Sequence, residues 1–132
     1  MNTKERGETT EAIVLAELKK RGYNVAKPFG ENTPYDLIVD DGKNLKKAQV
    51  KTAWEDNGKV KFNCKSTRSN FTESSKETYE GKIDSFIVYA PCLESLFEVP
   101  IEDANETRMS LRYCETNNGQ SANINWVDDY RI

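Results

Sequence analysis

Four side chains stand out for what they could do together: Glu11, Asp36, Gln49 and Lys51. Gln49 and Lys51 flank Val50 in the run Leu45 to Ala53, which alternates as a half-buried strand does. In an extended strand side chains alternate faces, so Lys47, Gln49 and Lys51 share one face while Ala48 and Val50 share the other. Asp36 opens the apolar run Leu37-Ile38-Val39, and Asp41-Gly42 provides a turn back toward residue 45. If the two strands pair through that turn, Asp36 falls beside Gln49 and Lys51. Glu11 lies on a helical stripe with Val14, Leu15 and Leu18. A carboxylate on a core-facing stripe is costly unless it is paired or binds a metal. Glu8, one turn earlier, is the alternative on that face.

A hard cation such as Mg²⁺, for which Mn²⁺ can substitute, takes oxygen ligands and often only one or two protein carboxylates. Asp36 and Glu11 supply those, and Gln49 adds a neutral oxygen. Lys51 is placed to orient or deprotonate a water, or to offset developing negative charge. This is the equipment of phosphodiester hydrolysis without histidine.

The chain has no histidine, and its three cysteines, Cys64, Cys92 and Cys114, lie far apart. The usual zinc spacings and the histidine-dependent nucleophile systems are therefore excluded. The cysteines read as small, partly buried apolar residues in a reducing compartment. The charged opening Met1–Arg6 does not resemble a secretion signal, and no apolar run is long enough to span a membrane. The expectation is a cytosolic protein without a membrane partner.

The net charge of −3 is unevenly spread. Residues 43–68 carry Lys43, Lys46, Lys47, Lys51, Lys59, Lys61, Lys65 and Arg68 against only Glu55 and Asp56. Charges act within a Debye length of about 8 Å at physiological salt, so a local basic patch can hold DNA on an acidic protein. Lys47, Lys59, Lys61, Lys65 and Arg68 are the DNA-binding candidates.

The elements that must position these groups follow from pattern. Residues 3–21 read as a helix, with Ala12, Leu15 and Leu18 recurring at helical spacing and Gly22 ending it. Strands are expected over 23–29, 35–39, 45–53 and 59–65, the last after an Asn57-Gly58 hairpin. Residues 66–82 read as a loop anchored by Phe71 and Tyr79. Ser85–Ala90 reads as a buried strand with a hairpin partner at 96–101, and shorter strands are expected at 108–113 and 124–127. The polar stretch 115–123 reads as a loop leading into a packed Trp126. Together these predict one α/β domain over 1–132, a mixed, twisted sheet flanked by helices.

The same residues carry a family likeness. Gly7-Glu8-Thr9-Thr10-Glu11, Lys20-Arg21-Gly22-Tyr23, Tyr35-Asp36-Leu37-Ile38-Val39 and Gln49-Val50-Lys51-Thr52-Ala53 resemble the PD-(D/E)XK nuclease superfamily, above all its group I intron-associated endonuclease branch. The pattern is also similar to archaeal-type Holliday-junction resolvases. The likeness is good over residues 7–54, weaker over 80–103, and loose beyond. It implies a restriction-endonuclease-like core. It implies Mg²⁺-dependent hydrolysis of DNA, site-specific in the manner of homing or restriction enzymes, or structure-specific as in a resolvase. Asp36 matches the motif aspartate, Lys51 the motif lysine and Glu11 the helix glutamate. Gln49 departs from the usual Asp or Glu, though the intron-associated branch tolerates glutamine there. Pro34 is one position displaced from the motif proline. A DNA-binding relative that has lost catalysis is the alternative. The implied partner is duplex or four-way-junction DNA. Cutting two strands calls for a homodimer or a larger symmetric assembly.

Overall fold

A computed structural model describes residues 1–30, 32–65, 79, 81–114 and 124–132. The expected loop residues 66–78, among them Arg68 and Phe71, and the polar stretch 115–123 lie outside the described residues.

Helix α1 spans Thr3–Lys20. Asn2 caps it by accepting a hydrogen bond from the Glu5 N–H at 2.8 Å. Gly22, at φ +87°, ends it in the left-handed region that glycine adopts without a steric penalty. Its inward stripe is Thr10, Val14 and Leu18. Ala12, expected inside, is exposed, and Thr10 takes its place because the buried stripe runs in steps of four residues.

Among the described residues eight strands follow: β1 (Asn24–Ala26), β2 (Leu37–Asp40), β3 (Leu45–Thr52), β4 (Trp54–Asp56), β5 (Lys59–Asn63), β6 (Ser85–Ala90), β7 (Ser95–Pro100) and β8 (Arg108–Arg112). They form two sheets. The larger has the order β1-β2-β3-β6-β7, and only β3 and β6 run parallel in it. The smaller is antiparallel with the order β4-β5-β8. The mixed α/β character is as expected. The second sheet departs from the pattern, in which residues 45–53 read as one uninterrupted strand. The break falls at buried Ala53, whose N–H donates to the Tyr89 carbonyl at 2.8 Å. Beyond it the chain leaves β6 and pairs with β5. Asn57 (φ +51°) and Gly58 (φ +81°) then close the β4–β5 hairpin as the Asn-Gly signal anticipates.

The expected strand at 124–127 does not form. Trp126 makes a single bridge to Arg112, and Val127–Asp129 is a 3₁₀ turn that sends Val127 into the core. The cysteines also differ from expectation. Cys64 is buried, but Cys92 and Cys114 are exposed, and none forms a disulfide. No described helix is long and apolar enough to cross a membrane.

The layers are helix, large sheet, small sheet. Val14 and Leu18 of α1 pack on Leu37, Val39, Ala48, Ile87 and Leu96. On the opposite face, Phe86, Val88, Phe97 and Val99 meet Val60, Phe62, Met109 and Leu111 of the small sheet. Strand β6 is thus covered on both faces, which is why Ser85–Ala90 is a continuous apolar run rather than an alternating one. Phe86 is fully buried and meets Phe62 and Tyr79 edge-on, at 5.6 and 5.4 Å between ring centroids. Phe86→Ala should therefore lower the unfolding free energy by about 3–5 kcal/mol, the range for deleting a buried phenyl ring. Denaturant titration of the two proteins measures it. A loss under about 1 kcal/mol would mean this layer is not the core.

Candidate active site

Strand β2 begins one residue after Asp36, while β3 runs on past it. The Leu37–Ala48 pairing is the last between the two strands, and continuing that register sets Asp36 opposite Gln49. The Asp36 N–H donates to the Ala48 carbonyl at 2.9 Å. Its carboxylate Oδ2 accepts from the Val50 N–H at 3.0 Å. The aspartate side chain therefore takes over the pairing where β2 stops, and its carboxylate is fixed against the edge of β3.

Glu11 reaches the same place from α1. The helix is held to β3 by a 2.7 Å hydrogen bond between the hydroxyls of Thr10 and Thr52. Each threonine is the immediate neighbour of a candidate site residue, Glu11 or Lys51. Glu11, Asp36, Lys27, Pro28, Gly30, Thr33 and Tyr35 line a cleft of about 230 Å³. Lys27, at the end of β1, forms an ion pair with Glu11 at 2.6 Å. Glu8 is exposed and does not line this cleft.

Lys51 lies on the opposite face of β3 from Val50, under the small sheet. Its Nζ donates to the Lys65 carbonyl at 3.2 Å and sits 5.1 Å from the centre of the Tyr79 ring. Burial there lowers its pKa below that of a free lysine, against the opposing influence of Asp36 and then of Cys64. Burial likewise raises the Asp36 pKa. The Val50 N–H opposes that shift, the Glu11 charge adds to it, and Lys51 and Lys27 oppose it. The Cys64 thiol, shielded beside Lys51, is pushed up to about 11 and stays protonated at neutral pH. Lys27 moves the other way, raised by its contact with Glu11.

The donor chemistry suits a hard cation. Glu11 Oε1 is shielded from solvent and has no aligned hydrogen-bond donor. Its neighbour is the Lys27 ammonium at 2.6 Å. No three His, Cys, Asp or Glu side chains converge among the described residues. The cleft thus brings together two carboxylates, Glu11 and Asp36, while Gln49 lies in register with Asp36 on the Lys51 face of β3 and neither it nor Lys51 lines the cleft. Gln49→Glu should supply a third charge. It should bind Mn²⁺ several-fold tighter by calorimetry, because site affinity rises with ligand charge. Without metal, the same change should lower stability at neutral pH by crowding Asp36 with a like charge. Unchanged affinity would place residue 49 outside the ligand set.

The basic candidates are not gathered in one patch. Lys47 is half-buried on β3, two residues before Gln49 on the same face. Lys59 and Lys61 lie on the outer face of the small sheet, in register with Arg112 and Ser110. Lys61 is paired with Asp56 at 2.7 Å. Lys65 meets the site through its backbone carbonyl. Trp54, Arg108 and Arg112 join the outer face of the small sheet, with Arg108 stacked 5.2 Å from the Trp54 ring. The sequence pattern marked neither Lys27 nor Arg108 and Arg112. Lys27 follows a three-residue strand, β1, too short to show a face, and the arginines lie in a weakly patterned segment far from the motif.

A helix laid on a mixed sheet, with two carboxylates lining a cleft where the central strands part, is the arrangement of the restriction-endonuclease-like fold class. The model of the PD-(D/E)XK endonuclease family matches residues 1–132, and the chain belongs to that family. Among solved structures it is similar to a bacterial homing endonuclease, I-Ssp6803I, with a TM-score of 0.71 and 23% identity over 98% of this chain and 86% of that one. At that identity the likeness is one of fold. A search among curated proteins found no match.

Proposed function

We propose that the chain is a Mg²⁺-dependent endonuclease that cuts double-stranded DNA at a defined sequence. The observation that carries this reading is the fixed Asp36 carboxylate, bonded to the Val50 N–H where β2 ends, with Glu11 and Lys51 close enough to shift its pKa. Glu11, Asp36 and Gln49 are the residues that would hold the cation. When bound, the cation acidifies a water and offsets charge on the phosphoryl oxygens.

The protein's own groups do the rest. Asp36 is oriented in advance by the backbone of β3, so no side-chain freedom is lost when substrate arrives. Lys51 is partly desolvated and pinned by the Lys65 carbonyl. A lysine so placed can hold or pass a proton of the attacking water while opposing the charge of the pentavalent phosphorus. The outer face of the small sheet, with Lys59, Lys61, Arg108, Arg112 and Trp54, is the surface proposed to lie along DNA. Sequence-specific cutting is favoured because the structural neighbour is described as a homing endonuclease. Cutting both strands then calls for a symmetric pair of chains.

A cleavage assay tests this on labelled linear duplexes, a plasmid and a four-way junction, with Mg²⁺ or EDTA. Metal-dependent cuts at one duplex sequence are expected. Paired nicks confined to the junction would replace the sequence-specific reading with a resolvase. DNA binding without cleavage in any metal would leave a catalytically inactive relative.

A further inference from the structure

The Lys27–Glu11 pair is not a surface ornament of α1. Its carboxylate oxygen is shielded from solvent, and the cleft that both residues line also contains Asp36. Two carboxylates face one another there, and like charges at close range repel. The cation paired with Glu11 is an ammonium on a side chain 60% exposed, whereas Glu11 is only 24% exposed. The lysine can leave at little cost, because its stem is free in water. The glutamate cannot, because its helix is packed through Val14 and Leu18 and tied to β3 by Thr10.

The ammonium also occupies the very oxygen a divalent ion would need. The Nζ–Oε1 contact is 2.6 Å long and joins two full opposite charges, the kind of contact a bound cation would have to replace. A divalent ion approaching Glu11 would find a positive charge already at its Oε1. Two cations cannot share that oxygen at contact distance, since their repulsion in a partly desolvated cleft exceeds what a screened surface pair returns.

We propose that Lys27 is a resident counter-ion of the metal site: it occupies the Glu11 carboxylate when no divalent ion is bound, and must be displaced for one to enter. This rests on the metal-site reading above and deepens it. Lys27 then acts as a positioning residue that sets the metal concentration at which the site fills.

The test is calorimetric titration of Mn²⁺ into the metal-free protein and its Lys27→Met, Lys27→Arg and Asp36→Asn variants, without DNA. Methionine matches lysine in length, removes the charge and offers no oxygen to a hard cation. Lys27→Met should bind Mn²⁺ on the order of ten-fold tighter, the scale of a coupling between two ligands on one site. Lys27→Arg should stay close to the parent. Raising the salt concentration should narrow the gap between parent and Lys27→Met, because screening weakens the exposed competitor. Equal or weaker binding by Lys27→Met, in a protein whose binding is lost in Asp36→Asn, would overturn the counter-ion role and leave the metal site standing. Absence of any Asp36-dependent binding in the parent would overturn both.

Discussion

Asp36→Asn should reduce DNA cleavage by at least ~10³-fold, as losing a catalytic carboxylate does when it supports both metal and water, and it should make the metal-free protein more stable. The two effects share one cause. Asp36 is shielded from solvent beside Glu11, and burial first of all raises its pKa above 3.8. A carboxylate whose folded pKa is raised contributes stability that is fully present below the unfolded pKa and is lost as pH rises through the folded one. At neutral pH it therefore carries an uncompensated charge cost. Asparagine keeps an oxygen for the Val50 N–H and removes that cost. Thermal unfolding in EDTA at pH 7 should show a higher Tm for the variant, by roughly 3 °C or more for a domain of this size. The gap should close as pH falls below about 4. With Mg²⁺ the order should reverse, because only the parent gains stability from a bound ion. A variant that cleaves normally would remove Asp36 from the site. One that is less stable in EDTA would mean the carboxylate is structural.

Lys51→Met is the second large effect, a fall of about 10²–10⁴-fold in cleavage rate, the range for removing a group that moves a proton or opposes transition-state charge. DNA binding should weaken far less, since Lys51 is one cation buried below the surface rather than part of the exposed basic face. Burial also lowers the Lys51 pKa. A lysine with a depressed folded pKa contributes stability present above the unfolded pKa, near 10.5, and lost as pH falls through the folded value. At pH 7 the charged Lys51 is thus held at a cost, and the methionine variant should be at least as stable as the parent. In single-turnover assays across pH, the parent should show a limb at its lowered lysine pKa, below 10.5, that Lys51→Met lacks. Lys51→Arg should not restore the rate, because a guanidinium neither fits beside the Lys65 carbonyl and Tyr79 nor gives up a proton. A variant with an unchanged rate would remove Lys51 from the chemistry.

Much of the architecture is legible in the residues themselves. The period of two in Leu45–Thr52 assigns Ala48 to the helix side and Lys51 to the other, and the observed packing follows it. The unbroken apolar run of β6 announces burial on both faces. Asn57-Gly58 and Asp41-Gly42 fix two turns through local backbone preference. These are short-range properties, set by what a residue prefers next to its immediate neighbours. The placing of Asp36 near Gln49 also follows, since a tight turn leaves few registers available.

What pattern cannot supply are the contacts between distant segments. The crossing from one sheet to the other at Ala53 depends on the Tyr89 carbonyl, which belongs to a different strand. The strand expected at 124–127 fails because a β-strand exists only where a partner edge extends far enough, and beyond the bridge at Trp126 the chain turns into the core instead. Lys27 reaches Glu11 only because β1 pairs with β2 next to the helix. The raised Asp36 and lowered Lys51 pKa values arise from burial, which no single segment possesses until the layers close over it. The sequence by itself thus determined which chemical groups are present and which face of each element they occupy. Tertiary packing decided which of them lose their water, which are paired, and therefore how strongly each holds its proton.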